Sequence, residues 1–80
     1  MQAQDIEALL EQQLANTNAT VNVMGSHIDI TIVGDVFAGV SRVKKQQMVY
    51  AAIAELIASG EVHAVDFIKA YTRAEWDQLA

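Results

Sequence analysis

The sequence predicts an α+β fold: a three-stranded sheet with helices packed on one face, built within one domain spanning residues 1–80. Three observations predict it. Apolar residues recur at helical spacing near the start of the chain, switch to alternation with polar residues between residues 21 and 32, and return to helical spacing after Ser41. Eighty residues leave room for one core only, and a chain this short buries about 60% of the surface that its unfolded form exposes. A hydrophobic fraction of 52% is enough to build that core.

The elements follow in order. Ile6, Leu9, Leu10 and Leu14 share a helical face, which predicts an amphipathic helix over about residues 5–15. Asn16, Thr17 and Asn18 supply turn chemistry. Val21 and Val23 alternate with Thr20 and Asn22, and Ile28, Ile30 and Ile32 alternate with Asp29 and Thr31, as half-buried strands do. Met24-Gly25-Ser26 joins them as a hairpin, with glycine available for a positive φ. Gly34-Asp35 ends the second strand, and Val36-Phe37-Ala38-Gly39 has length for a single turn. Ser41 is the expected N-cap of a long helix on which Val49, Ile53, Leu56 and Ile57 line one side, with Tyr50 and Ala54 adjoining. Ser59-Gly60 terminates it. Residues 62–71 suit a third strand, and their broken alternation is restored by one bulge near Asp66. Thr72-Arg73-Ala74-Glu75 is a capping box that starts a last short helix carrying Trp76 and Leu79. A strand that arrives through a helical crossover is able to pair in parallel with a hairpin strand.

Composition narrows the function. There is no cysteine, so neither a disulfide nor a thiolate metal site comes from this chain alone. No apolar run approaches the roughly 20 residues that span a bilayer, and Asp5, Glu7 and Glu11 interrupt the apolar character that a signal peptide needs; a cytoplasmic protein is the expectation. The net charge of −5 lacks the global field of a nucleic-acid binder. Three of the five basic residues, Arg42, Lys44 and Lys45, nevertheless fall within four positions. No nucleophile with its base, carboxylate dyad or phosphate-cradling glycine loop is present, so a non-enzymatic role is expected.

Several segments resemble the BolA-like family, in particular its short bacterial branch. They are the run from Val36 to Tyr50, centred on Ser41-Arg42-Val43-Lys44-Lys45-Gln46-Gln47; Gly25-Ser26-His27; Val62-His63-Ala64-Val65; and Lys69-Ala70-Tyr71-Thr72 followed by Glu75-Trp76. The resemblance implies the order α-β-β-α-α-β-α, similar to a class II KH domain. Three departures stand out. Asp66-Phe67 carries one residue more than the family pattern, Arg73 stands where proline is common, and the sequence ends at Ala80, before the basic tail of many members.

The resemblance implies that His63 ligates a [2Fe–2S] cluster shared with a monothiol glutaredoxin, the other ligands coming mostly from that partner and glutathione. Imidazole ligation raises a cluster's potential relative to all-thiolate ligation and needs the neutral ring, so capture weakens in acid. Family members often place a second ligand in the hairpin; here Met24 occupies the closest position, and His27 is the other candidate, although a plain surface histidine is the simpler reading. Arg42, Lys44 and Lys45, with Lys69, form the expected binding patch for an acidic partner, a glutathione carboxylate or nucleic-acid phosphates. The preferred arrangement sets this basic helix start as a docking edge beside His63. The resulting expectation is a non-catalytic adaptor in iron–sulfur trafficking or iron regulation, with a weak homodimer as a further association. The alternative is a KH-like DNA- or RNA-binding regulator of transcription in a stress response. Against the alternative, Gly34 and Gly39 do not form the Gly-x-x-Gly clamp of KH domains.

Overall fold

The computed structural model describes residues 2–79. Helix α1 spans Ala3–Gln13, strand β1 Asn18–Met24 and strand β2 His27–Val33. A 3₁₀ turn follows at Asp35–Phe37, then α2 at Arg42–Ala52, α3 at Ala54–Ala58, β3 at Ala64–Tyr71 and α4 at Arg73–Leu79. The sheet order is β1-β2-β3, with β1 antiparallel and β3 parallel to the central β2. This is the α+β sheet that the alternating and helical patterns predict.

Helix α1 begins and ends two residues earlier than expected, but its apolar stripe performs as read: Ile6, Leu10 and Leu14 are buried. They meet Val21 of β1, Ile28, Ile30 and Ile32 of β2, Phe37 of the 3₁₀ turn, and Val49 and Ile53 beyond it in one core. In the hairpin Met24 pairs with His27, leaving Gly25-Ser26 as a two-residue loop with Gly25 at φ 63°. Ser41 caps α2 by accepting the Lys44 N–H at 3.2 Å. Gly60, at φ 82°, ends the helical stretch at the expected place.

The single long helix is in fact two. Ile53 leaves helical geometry at φ −114°, ψ 17°, and its N–H bonds back to Tyr50 only three residues away. No glycine or proline marks this break; fully buried Ile53 anchors it in the core. The break also separates two stripes. Val49, Ile53 and Leu56 turn inward, whereas Tyr50 and Ile57 remain 41% and 39% exposed, so Ile57 is not the core residue expected.

On β3 the anticipated bulge is present. Ile28 pairs with Val65 and Ile30 with Ile68, so β3 holds one extra residue across Asp66-Phe67. Beyond it, Thr72 and Glu75 form the reciprocal box: Glu75 Oε1 accepts the Thr72 N–H at 2.8 Å, and Thr72 Oγ1 accepts the Glu75 N–H at 3.2 Å. Arg73 uses the N–H that proline would lack to reach Asp35 Oδ1, and its guanidinium donates to Asn18 Oδ1 at 3.0 Å. These bonds draw α4 over the end of the sheet, where Trp76 lies 5.5 Å from the Tyr71 ring.

Two carboxylates of α1 close the outer side of β1. Glu7 accepts the Val21 N–H and Glu11 the Ala19 N–H, both at 2.9 Å. One helical turn advances about 5.4 Å and two strand residues about 6.6 Å, so the i, i+4 carboxylates match alternate amides of an adjacent strand.

Candidate functional site

His63 immediately precedes β3. Its N–H donates to the Ser26 carbonyl at 2.8 Å, which pins the residue against the end of the hairpin. The residue is exposed, and no hydrogen bond from another described residue occupies its ring. Around it Tyr50, Ile57, Val62, Ala64 and Val65 line a shallow depression. The exposed side of α2 and α3, through Tyr50, Ala51, Ala54, Ile57 and Ala58, continues that apolar surface. Sequence reading missed this second stripe because Ile57 follows Leu56. Two adjacent helical residues cannot share one narrow face, and Tyr50, Ala54 and Ile57 at i, i+4 and i+7 signal a stripe of their own.

His27 is placed differently. Its Nδ1 lies 3.1 Å from Asp66 Oδ1, on the side of the sheet away from the core helices. His27 pairs in register with Ala64, the first residue of β3 and the one after His63. The His27 ring is engaged by Asp66, whereas no hydrogen bond from another described residue occupies that of His63. Met24, at the hairpin tip, is 72% exposed. Among the described residues no group of three or more His, Cys, Asp or Glu side chains is placed to hold a metal ion.

The basic residues assemble elsewhere. Arg42, Lys45 and Lys69 line a cleft of about 310 Å³ with Gln46, Ile68, Tyr71 and Glu75. Lys44 is exposed outside it, its backbone held by Ser41. Lys45 is largely committed: its side chain is only 16% exposed, and its amine reaches the Ala70 carbonyl at 3.4 Å and Glu75 Oε1 at 3.6 Å. Lys69 places its amine 4.9 Å from the Phe67 ring centroid, a cation–π contact. The Thr72 backbone N–H, then the Thr72 hydroxyl and Lys45, hold the Glu75 carboxyl below its ordinary 4.5.

This geometry corrects the expected docking edge beside His63. The Lys45 amine bonds to Ala70 near the end of β3, whereas His63 precedes its start. Seven residues of strand put the two on the order of 20 Å apart. The cause is the crossover. A helix linking two parallel strands runs back along them, so the first turn of α2 sits at their C-terminal ends and His63 at their N-terminal ends.

Comparison with known proteins gives a consistent picture. A family model described as BolA-like protein matches residues 2–75. The acid stress protein IbaG of Escherichia coli K12 is 46% identical over 76 residues, covering 95% of this chain and 89% of that protein. Among solved structures, a bolA protein homologue from Coxiella burnetii superposes with a TM-score of 0.85 at 23% identity, covering 96% of this chain and 97% of that one. The BolA domain of SufE1 from Arabidopsis thaliana gives 0.73 at 28% identity, with 91% and 93% covered.

Proposed function

Because the chain belongs to the BolA-like protein family, we propose that it is a non-catalytic adaptor in iron–sulfur cluster trafficking, pairing with a monothiol glutaredoxin and sharing a [2Fe–2S] cluster through His63. The observation that carries the reading is the setting of His63: an exposed imidazole, fixed through its backbone and bordered by an apolar surface. The ring fits the role of a single donor, since it has no hydrogen-bond partner among the described residues. With no cysteine in the chain, thiolate ligands would come from the partner and glutathione. When bound, the cluster supplies an iron–imidazole centre of raised potential. Ser26 holds the His63 backbone, while Tyr50 and Ile57 offer the apolar contact that excludes water from a shared interface. The acid stress role carried in the name of the E. coli relative supports a setting in stress physiology.

Mixing the protein with a monothiol glutaredoxin, glutathione, iron and sulfide tests this reading. The wild-type mixture is expected to give a heterodimer whose visible circular dichroism differs from that of the glutaredoxin homodimer. His63→Ala removes that signature. If the two proteins give identical spectra, His63 is not a ligand.

The nucleic-acid reading draws support from the gathering of Arg42, Lys45 and Lys69 in one cleft. It ranks second because Glu75 shares the cleft and Lys45 is already paired. The few cations that remain would give weak, salt-sensitive phosphate binding. Shifts at Arg42, Lys44 and Lys45 on titration with DNA or RNA at physiological salt would favour it.

A further inference from the structure

From the cleft beside α2, we infer a second docking site, independent of His63: the outer edge of β3 takes an extended peptide segment bearing acidic side chains. Three observations converge on it. First, the two edges of the sheet are treated differently. Glu7 and Glu11 occupy outward amides of β1, while no strand among the described residues pairs with the outer side of β3. Second, the outward groups of β3 are identifiable. The Tyr71 carbonyl accepts the Gly34 N–H at 2.9 Å on the β2 side. By alternation, Ala70 and Ile68 turn their N–H and C=O groups outward, where the Lys45 amine finds the Ala70 carbonyl. Such an edge is a template for strand addition. Third, the cleft along this edge has the opposite sign to the chain: Arg42, Lys45 and Lys69 stand against Glu75 in a protein of net charge −5.

The occupant follows from these groups. A peptide strand uses the Ile68 and Ala70 backbone for pairing and one carboxylate for Arg42, which has no ion-pair partner among the described residues. Lys45 keeps Glu75 as its counter-charge when the peptide takes over the Ala70 edge. A polyphosphate chain lacks the N–H groups that would pair with the outward Ile68 and Ala70 carbonyls, so it engages only the side chains of the cleft.

The test uses the full chain without iron, so its outcome does not depend on the cluster reading. A capped octapeptide alternating aspartate and valine is titrated by NMR, with its asparagine counterpart and an oligothymidylate of equal length as controls. Binding of the aspartate peptide is expected to slow hydrogen exchange at the Ile68 and Ala70 amides and to shift the Arg42 guanidinium. Arg42→Glu should weaken it about tenfold, the loss of one charged hydrogen bond, and Arg42→Gln severalfold; His63→Ala should bind like wild type. Three results would overturn the proposal: no protection at Ile68 and Ala70, equal binding of the asparagine peptide, or oligothymidylate binding at this cleft in place of the peptide.

Discussion

At its start β3 meets an imidazole set among Tyr50, Ile57 and Val62; at its end it meets Arg42, Lys45 and Glu75. The first region is apolar with one unengaged donor ring. The second is charged, and most of its charge is already engaged within the molecule. The contrast teaches that exposure and commitment are separate matters. The His63 end is held by backbone bonds and leaves the His63 ring uncommitted, whereas the cleft end spends its side chains tying α2, β3 and α4 together.

The sharpest way to break this contrast is Ile57→Asp. A carboxylate in the middle of the stripe beside His63 should weaken glutaredoxin binding tenfold or more, as expected for a central apolar contact of roughly 1.4 kcal/mol or above. Because Ile57 is 39% exposed, the fold should hold and octapeptide binding at the cleft should be unchanged. Calorimetric titration showing undiminished glutaredoxin affinity would remove the stripe from the interface.

At the cleft end the leading effect is on stability. Thr72→Ala opens the capping box and should cost about 1 kcal/mol in urea unfolding, with no change in the cluster spectrum. The same box gives an acid dependence. The folded-state carboxyl of Glu75 sits below 4.5 because the Thr72 N–H, its hydroxyl and Lys45 favour the ionised form. Its contribution is therefore fully present above the unfolded value and lost as pH falls through the folded one. Unfolding curves collected below pH 4.5 should show this loss in wild type and a smaller one in Glu75→Gln. An equal decline in both would assign acid sensitivity to other groups.

Lys45→Met is the mildest change. It keeps the buried stem and removes the amine from Ala70 and Glu75, and a partly exposed ion pair of this kind adds little to stability. The Ala70 carbonyl is then free, and octapeptide binding should persist. Complete loss of that binding would mean that the Lys45 amine, not the strand edge, is what the peptide recognises.

Much of this was legible in the residues. The broken alternation at Asp66 located the bulge, Ser41 the N-cap and Thr72–Glu75 the capping box, because each is decided by neighbours in sequence. The break at Ile53 was not, since tertiary packing produces it with no glycine or proline to announce it. The separation of His63 from the basic run lay between these cases. A parallel third strand implies it, but the helical crossover in the sequence only allows that pairing and does not require it. The strand-capping role of Glu7 and Glu11 was not legible, because their amide partners lie 14 and 8 residues away on another element.

Those two acids also set a limit on assembly. A sheet whose two sides both accept strands is able to grow without end, copy upon copy, into a filament. With the Ala19 and Val21 amides of β1 held by Glu11 and Glu7, the proposed strand acceptor among the described residues is the β3 edge. A sheet with one receptive edge would add one strand there, from a partner or from a second copy in a closed pair, and extension of the sheet would stop. The helix that completes the core thus also terminates the lattice.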